Sequence, residues 1–93
     1  MSVTTTFAAL SDPTRQRVVT RLAQGEASIG ELAAPHPMSL PAFTKHVRVL
    51  VDAGLVHRRK VGRTVLCTLA PQPLADARAW LSDVSPAPFN QDT

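Results

Sequence analysis

Cysteine occurs once in the 93 residues, at Cys67, which excludes an internal disulfide framework and fits a reducing compartment. No apolar run approaches the roughly 18 residues that a membrane-spanning helix requires. The opening residues Met1, Ser2 and Val3 lack the basic start and long apolar stretch of a signal peptide. A soluble, cytoplasmic protein with no membrane partner is therefore expected. Glycines never cluster into a phosphate-cradling loop, and no Ser, His or Asp stands in a recognisable nucleophile motif, so no enzyme is expected. His36 and Cys67 have no second ligand at close spacing, and neither a metal nor another cofactor is expected. Cys67 falls in an alternating run, where it reads as a small buried hydrophobe rather than a reactive thiol.

What is present suits one small domain. Apolar residues make up 44% of the chain, enough for a single core spanning residues 1–84. Residues 85–93, SPAPFNQDT, have two prolines and no pattern, and read as a flexible tail. A core this small leaves room for dimerisation to contribute to stability. The net charge is only +3, but it is unevenly placed. Lys45, Arg48, Arg58, Arg59, Lys60 and Arg63 fall within 19 residues that contain one acid, Asp52, whereas acids outnumber cations elsewhere. A basic edge on a slightly acidic body suits an anionic partner such as nucleic acid, although a solvated charged hairpin would look the same by charge alone.

Prolines and glycines divide the chain into elements. In VTTTFAAL, Val3, Phe7 and Leu10 share one helix face. Asp12 is placed to cap a second helix with Pro13 at its first position, ending near Gly25. Ser28 and Glu31 form a capping box for a short third helix that Pro35 must end. In SLPAFTKHVRVLVDAG, Ser39 is an N-cap, Pro41 is tolerated in the first turn and Gly54 is a C-terminal glycine. Phe43, Val47, Leu50 and Val51 form the buried stripe of this fourth helix, and Thr44, Lys45 and Arg48 lie on another face. LVHRRKV and TVLCTL, joined at Val61-Gly62-Arg63, read as a β-hairpin in which Val65, Cys67 and Leu69 share a face. Pro71 and Pro73 introduce a last helix with Leu74, Ala77, Leu81 and Val84 in a stripe and Trp80 beside it. The order predicts a mainly α (α+β) winged helix-turn-helix: about five helices, with a two-stranded wing between the fourth and fifth. The fourth helix would enter the DNA major groove.

Three motifs, ALSDPTRQRV, SLPAFTKHVRVLVDAGLV and RRKVGRTVLCTL, resemble ArsR/SmtB-type bacterial repressors in order and spacing, along nearly the whole chain. The resemblance implies a homodimer held by its terminal helices, binding a palindromic operator in double-stranded DNA and repressing its own operon. Three departures accompany it. The third helix, SIGELAAPHPM, has no cysteine, and the last has Asp76 and Asp83 but no histidine, so the family's usual metal-binding motifs are missing. Leu40 stands where the family commonly carries a base-reading glutamine. Any inducer is accordingly expected to be an organic small molecule.

The residues expected at DNA are Ser39, Leu40, Thr44, Lys45, His46 and Arg48 from the fourth helix, and Arg58, Arg59, Lys60 and Arg63 from the wing. Lys45 and Arg48 can reach phosphates or guanine edges, and Leu40 either a thymine methyl or the packed turn. Ser39 is a cap first. His46 reads either as a phosphate donor or as a locally hydrogen-bonded structural histidine. Arg15 and Arg17 open the second helix, where the dipole does not favour a cation; solvent or an internal acid is their default partner. The dimer face would comprise Val3, Phe7, Leu10, Leu74, Ala77, Trp80, Leu81 and Val84. The alternative function is a protein-assembly module whose basic edge docks on an acidic protein.

Overall fold

In the computed structural model, which describes residues 2–86, four of the five helices begin where a side chain satisfies one of their first free N–H groups. Helix α1 (Val3–Ala9) is capped by Ser2, and α2 (Pro13–Leu22) by Asp12, which accepts from the Arg15 N–H. Helix α3 (Ile29–Ala33) carries the complete Ser28/Glu31 capping box, and α4 (Leu40–Asp52) is capped by Ser39. Helix α5 (Pro71–Val84) has no side-chain cap and starts on its two prolines.

The end of α4 is a Schellman turn. Gly54 has φ +76°, its N–H donates to Val51 O at 2.9 Å, and that of Leu55 donates to Leu50 O at 2.9 Å. Leu50 and Leu55 are both fully buried, giving the hydrophobic contact that accompanies this motif. The turn delivers the chain directly into the sheet.

The sheet has three antiparallel strands rather than the two of the expected hairpin: β1 (Ala27–Ser28), β2 (Val56–Val61) and β3 (Thr64–Leu69), in the order β1-β3-β2. Strand β1 is only two residues long, too short to show alternation, and its Ser28 also caps α3. Strands β2 and β3 pair from Val56↔Leu69 to Val61↔Thr64, leaving Gly62 and Arg63 as a two-residue turn. Gly62 has φ +61° at the position where such a hairpin turn requires it.

The core is built where α2, α3 and α4 meet one face of this sheet. Val18 and Leu22 come from α2, Leu32 from α3, and Phe43, Val47 and Leu50 from α4. Ala27, Val56 and Cys67 come from the sheet, with Leu55 leading into it. Helices α1 and α5 pack on each other at the side of this core, to which α1 contributes Ala9, with the Phe7 and Trp80 rings edge to face at 5.7 Å. Residues 87–93 of the expected tail lie outside the described residues.

Candidate nucleic-acid interface

Helix α3, the turn through His36 and helix α4 form a helix-turn-helix, and burial divides α4 as its spacing predicts. Phe43, Val47 and Leu50 are fully buried, whereas Lys45 and Arg48 are exposed. Neither cation forms an ion pair among the described residues, so both charges are free to meet an anion. Leu40 is 57% exposed: its side chain is presented outward rather than packed on the turn. The two hydroxyls differ. Ser39 Oγ accepts from the Ala42 N–H at 3.2 Å and keeps its own proton to donate. Thr44 Oγ1 already donates to Leu40 O at 2.8 Å and remains chiefly an acceptor.

The wing cations are sorted by strand pleat. Directly paired residues point to one side of a sheet, so Arg58 (opposite Cys67) and Lys60 (opposite Val65) share the side of Val56 that faces the core. His57 and Arg59 point the other way. Arg59 reaches past β3 to Glu26, with Nη2 to Oε2 at 2.9 Å, and is thereby partly neutralised. Arg58 and Arg63 instead line an open cleft of about 490 Å³ together with Thr44 of α4 and Ser28, Ile29 and Gly30 at the start of α3. Charge counting along the sequence treats these cations alike; the sheet register separates them. Ser28 and Gly30 were not anticipated at the site, because nothing in their local sequence signals that β1 would bring them beside the wing.

His46 is half-buried and structural on its Nδ1 side, which lies 3.1 Å from Arg15 Nη1 and 3.6 Å from Asp12 Oδ2. Arg15 is not left to solvent: its Nε donates to Ala9 O at 2.6 Å. The unfavourable position at the start of α2 is offset because this guanidinium lies on the carbonyl end of α1. The Arg15 N–H bond holds the Asp12 carboxyl below its ordinary range, with the nearby His46 and Arg15 side chains adding to it against slight burial. Glu31 is also held low, by the backbone and hydroxyl of Ser28. Burial pushes the Cys67 thiol up. Among the described residues, no three His, Cys, Asp or Glu side chains converge as metal donors would, and no helix is long and apolar enough to cross a membrane.

Of the residues expected at a dimer face, Ala77 is buried within the chain itself, and Leu10 and Leu74 pack partly on the core. Val3 and Phe7 are half-covered. Trp80, Leu81 and Val84 remain exposed along α5.

A helix-turn-helix followed by a basic two-stranded wing defines a winged-helix DNA-binding domain. A family model described as a helix-turn-helix domain matches residues 10–59, from the end of α1 into β2. The chain is 44% identical over 73 residues to the HTH-type transcriptional regulator Rv2034 of Mycobacterium tuberculosis, covering 78% of this chain and 68% of that protein. It is 28% identical over 75 residues to the transcriptional repressor SdpR of Bacillus subtilis, covering 81% and 83% respectively. A crystal structure described as an ArsR family transcriptional regulator, RHA00566, superposes with a TM-score of 0.82 at 41% identity, over 86% of this chain and 82% of that one. The chain belongs to the ArsR-type family of winged helix-turn-helix transcriptional repressors, which bind DNA.

Proposed function

We propose that this protein acts as a homodimer that binds a palindromic operator in double-stranded DNA and represses transcription of its own operon. Helix α4 enters the major groove, where Lys45 and Arg48 read base edges or phosphates and Leu40 meets a thymine methyl. Ser39 donates to the backbone, and Arg58, Lys60 and Arg63 of the wing grip phosphates alongside. The observation that carries this reading is the opening of the wing cations Arg58 and Arg63 onto one cleft with Thr44 of α4. A duplex seated there meets helix and wing together. Membership of a repressor family favours DNA over an acidic protein as the partner of this basic face.

Dimerisation is supported by the apolar side chains that α5 leaves uncovered, Trp80, Leu81 and Val84, next to Phe7 of α1. A two-fold pairing of these helices would place two α4 helices on successive major grooves. Selection of bound duplexes from a random pool tests the whole proposal. A recovered palindrome, with affinity falling steeply as salt rises, supports it; an unchanged pool, or recovery of single half-sites by a monomer, overturns it.

A further inference from the structure

Among the described residues, a polar cluster of several partners lies where the end of α1, the start of α2 and the middle of α4 meet. The Arg15 guanidinium donates through Nε to Ala9 O at 2.6 Å and through Nη2 to Ala8 O at 3.4 Å, so it is fixed on the last carbonyls of α1. Its Nη1 is 3.1 Å from Nδ1 of His46, 31 residues away on α4. Arginine has donors only, so His46 Nδ1 must accept, and the neutral ring then carries its proton on Nε2. The same Nδ1 is 3.6 Å from Oδ2 of Asp12, the carboxylate that caps α2. One ring nitrogen thus faces a cation that requires it unprotonated and an anion that would hold it protonated.

We propose that Arg15 is a positioning residue for the recognition helix, and that protonation of His46 releases the helix from it. With the ring neutral, α1, Arg15, His46 and α4 form one hydrogen-bonded chain, and the orientation of α4 is tied to a helix of the dimer face. With the ring charged, Nδ1–H is repelled by the guanidinium and turns to Asp12, so that the polar tie of α4 runs to the cap of α2 and no longer through Arg15 to α1. The inference rests on the DNA-binding reading above and adds a pH-dependent control to it.

The charged groups against the ring are few. Helix α2 supplies Asp12 and Arg15, and α1 supplies only the carbonyls that hold Arg15. Helix α4 itself carries Lys45 and Arg48 nearby in sequence, both exposed. Among the described residues, no charged group of α3 or of the sheet bonds to His46. The Asp12 carboxyl, held low by the Arg15 N–H, stays ionised throughout the range in which histidines change charge, so the alternative partner is always ready.

Protonation has two separable effects on DNA. The added positive charge strengthens binding to every duplex, whereas loss of the tie weakens discrimination between duplexes. The ratio of affinities isolates the second effect. The probes are a duplex recovered from a random pool at about pH 8 and a scrambled duplex of equal length, titrated at constant ionic strength down to about pH 5.5. The preference for the recovered duplex should fall by at least about fivefold. His46→Gln, whose amide oxygen can accept from Arg15 without titrating, should give a flat ratio. A flat wild-type ratio, or a His46→Gln variant that falls as the wild type does, overturns the proposal. Two-bond ¹H–¹⁵N spectra of the free protein at about pH 8 should show the His46 proton on Nε2; a proton on Nδ1 refutes the tie independently of DNA. Failure to recover any duplex would overturn the DNA-binding reading and the control built on it, while the spectra still judge the tie.

Discussion

Arg58 and Arg59 are neighbours in sequence and are expected to behave differently, because one faces the cleft beside α4 and the other is paired with Glu26. Arg58→Ala should weaken binding to all duplexes alike and reduce the slope of log affinity against log salt by about one per half-site. Arg59→Ala should leave that slope nearly unchanged and cost less than about 1 kcal/mol of stability, the range of a solvent-exposed pair. Lys45 is exposed on α4 and has no ion-pair partner among the described residues. Lys45→Ala should cost about 1 to 3 kcal/mol on the operator and much less on scrambled DNA if the ammonium reads a base. Titration of each folded variant on both duplexes checks all three outcomes. Equal losses for Arg58→Ala and Arg59→Ala would refute the division of the wing by its pleat.

At the scale of elements, acid stability should follow the helix caps. Asp12 and Glu31 have ordinary values of 3.8 and 4.5, and both are held lower in the folded chain, first by the Arg15 N–H and first by the Ser28 N–H respectively. Their contribution is fully present above those ordinary values and is lost as pH falls through the lowered folded ones. Melting temperature should therefore drop on acidification below about pH 4, and Asp12→Asn with Glu31→Gln should flatten that drop. An unchanged slope in the double variant would show that other carboxylates govern acid unfolding. These caps were legible in the sequence because a cap is a local pattern: Ser28 and Glu31, or Ser39 and Pro41, need no distant partner. The wing was legible for the same reason, from two β-branched runs and one glycine. Strand β1 was not, since two residues carry no period and Ala27 is ordered by pairing with Cys67, 40 residues on. The Arg15–His46 contact was hidden likewise, because it depends on how α1, α2 and α4 pack. The partition of the wing cations sits between these cases. It follows from alternation once the register is known, but a slip of one residue would exchange Arg58 for Arg59.

For the molecule as a whole, the proposed dimer depends on side chains that the single chain leaves uncovered. Leu81→Asp places a charge in that patch without touching the core of α2, α3, α4 and the sheet. The variant should fold, sediment as a monomer at micromolar concentration and lose operator binding, and a dimer that survives it would relocate the interface. The sheet has a different exposure. In the order β1-β3-β2 the wing's first strand is an outer one, and its far row of N–H and C=O groups pairs with no strand among the described residues. Open strand edges invite pairing with other molecules, and cationic side chains along them are a common defence. His57, Arg58, Arg59 and Lys60 occupy four consecutive exposed positions there. The charge proposed to meet DNA is thus also placed to keep the free protein from self-association. A variant with Arg58, Arg59 and Lys60 all replaced by alanine should retain its helical spectrum yet scatter light increasingly with time and concentration in the absence of DNA. Wild-type protein under the same conditions should stay clear. If both outcomes hold, the same side chains serve the wing twice, once at the operator and once in keeping a bare strand edge from pairing with another molecule.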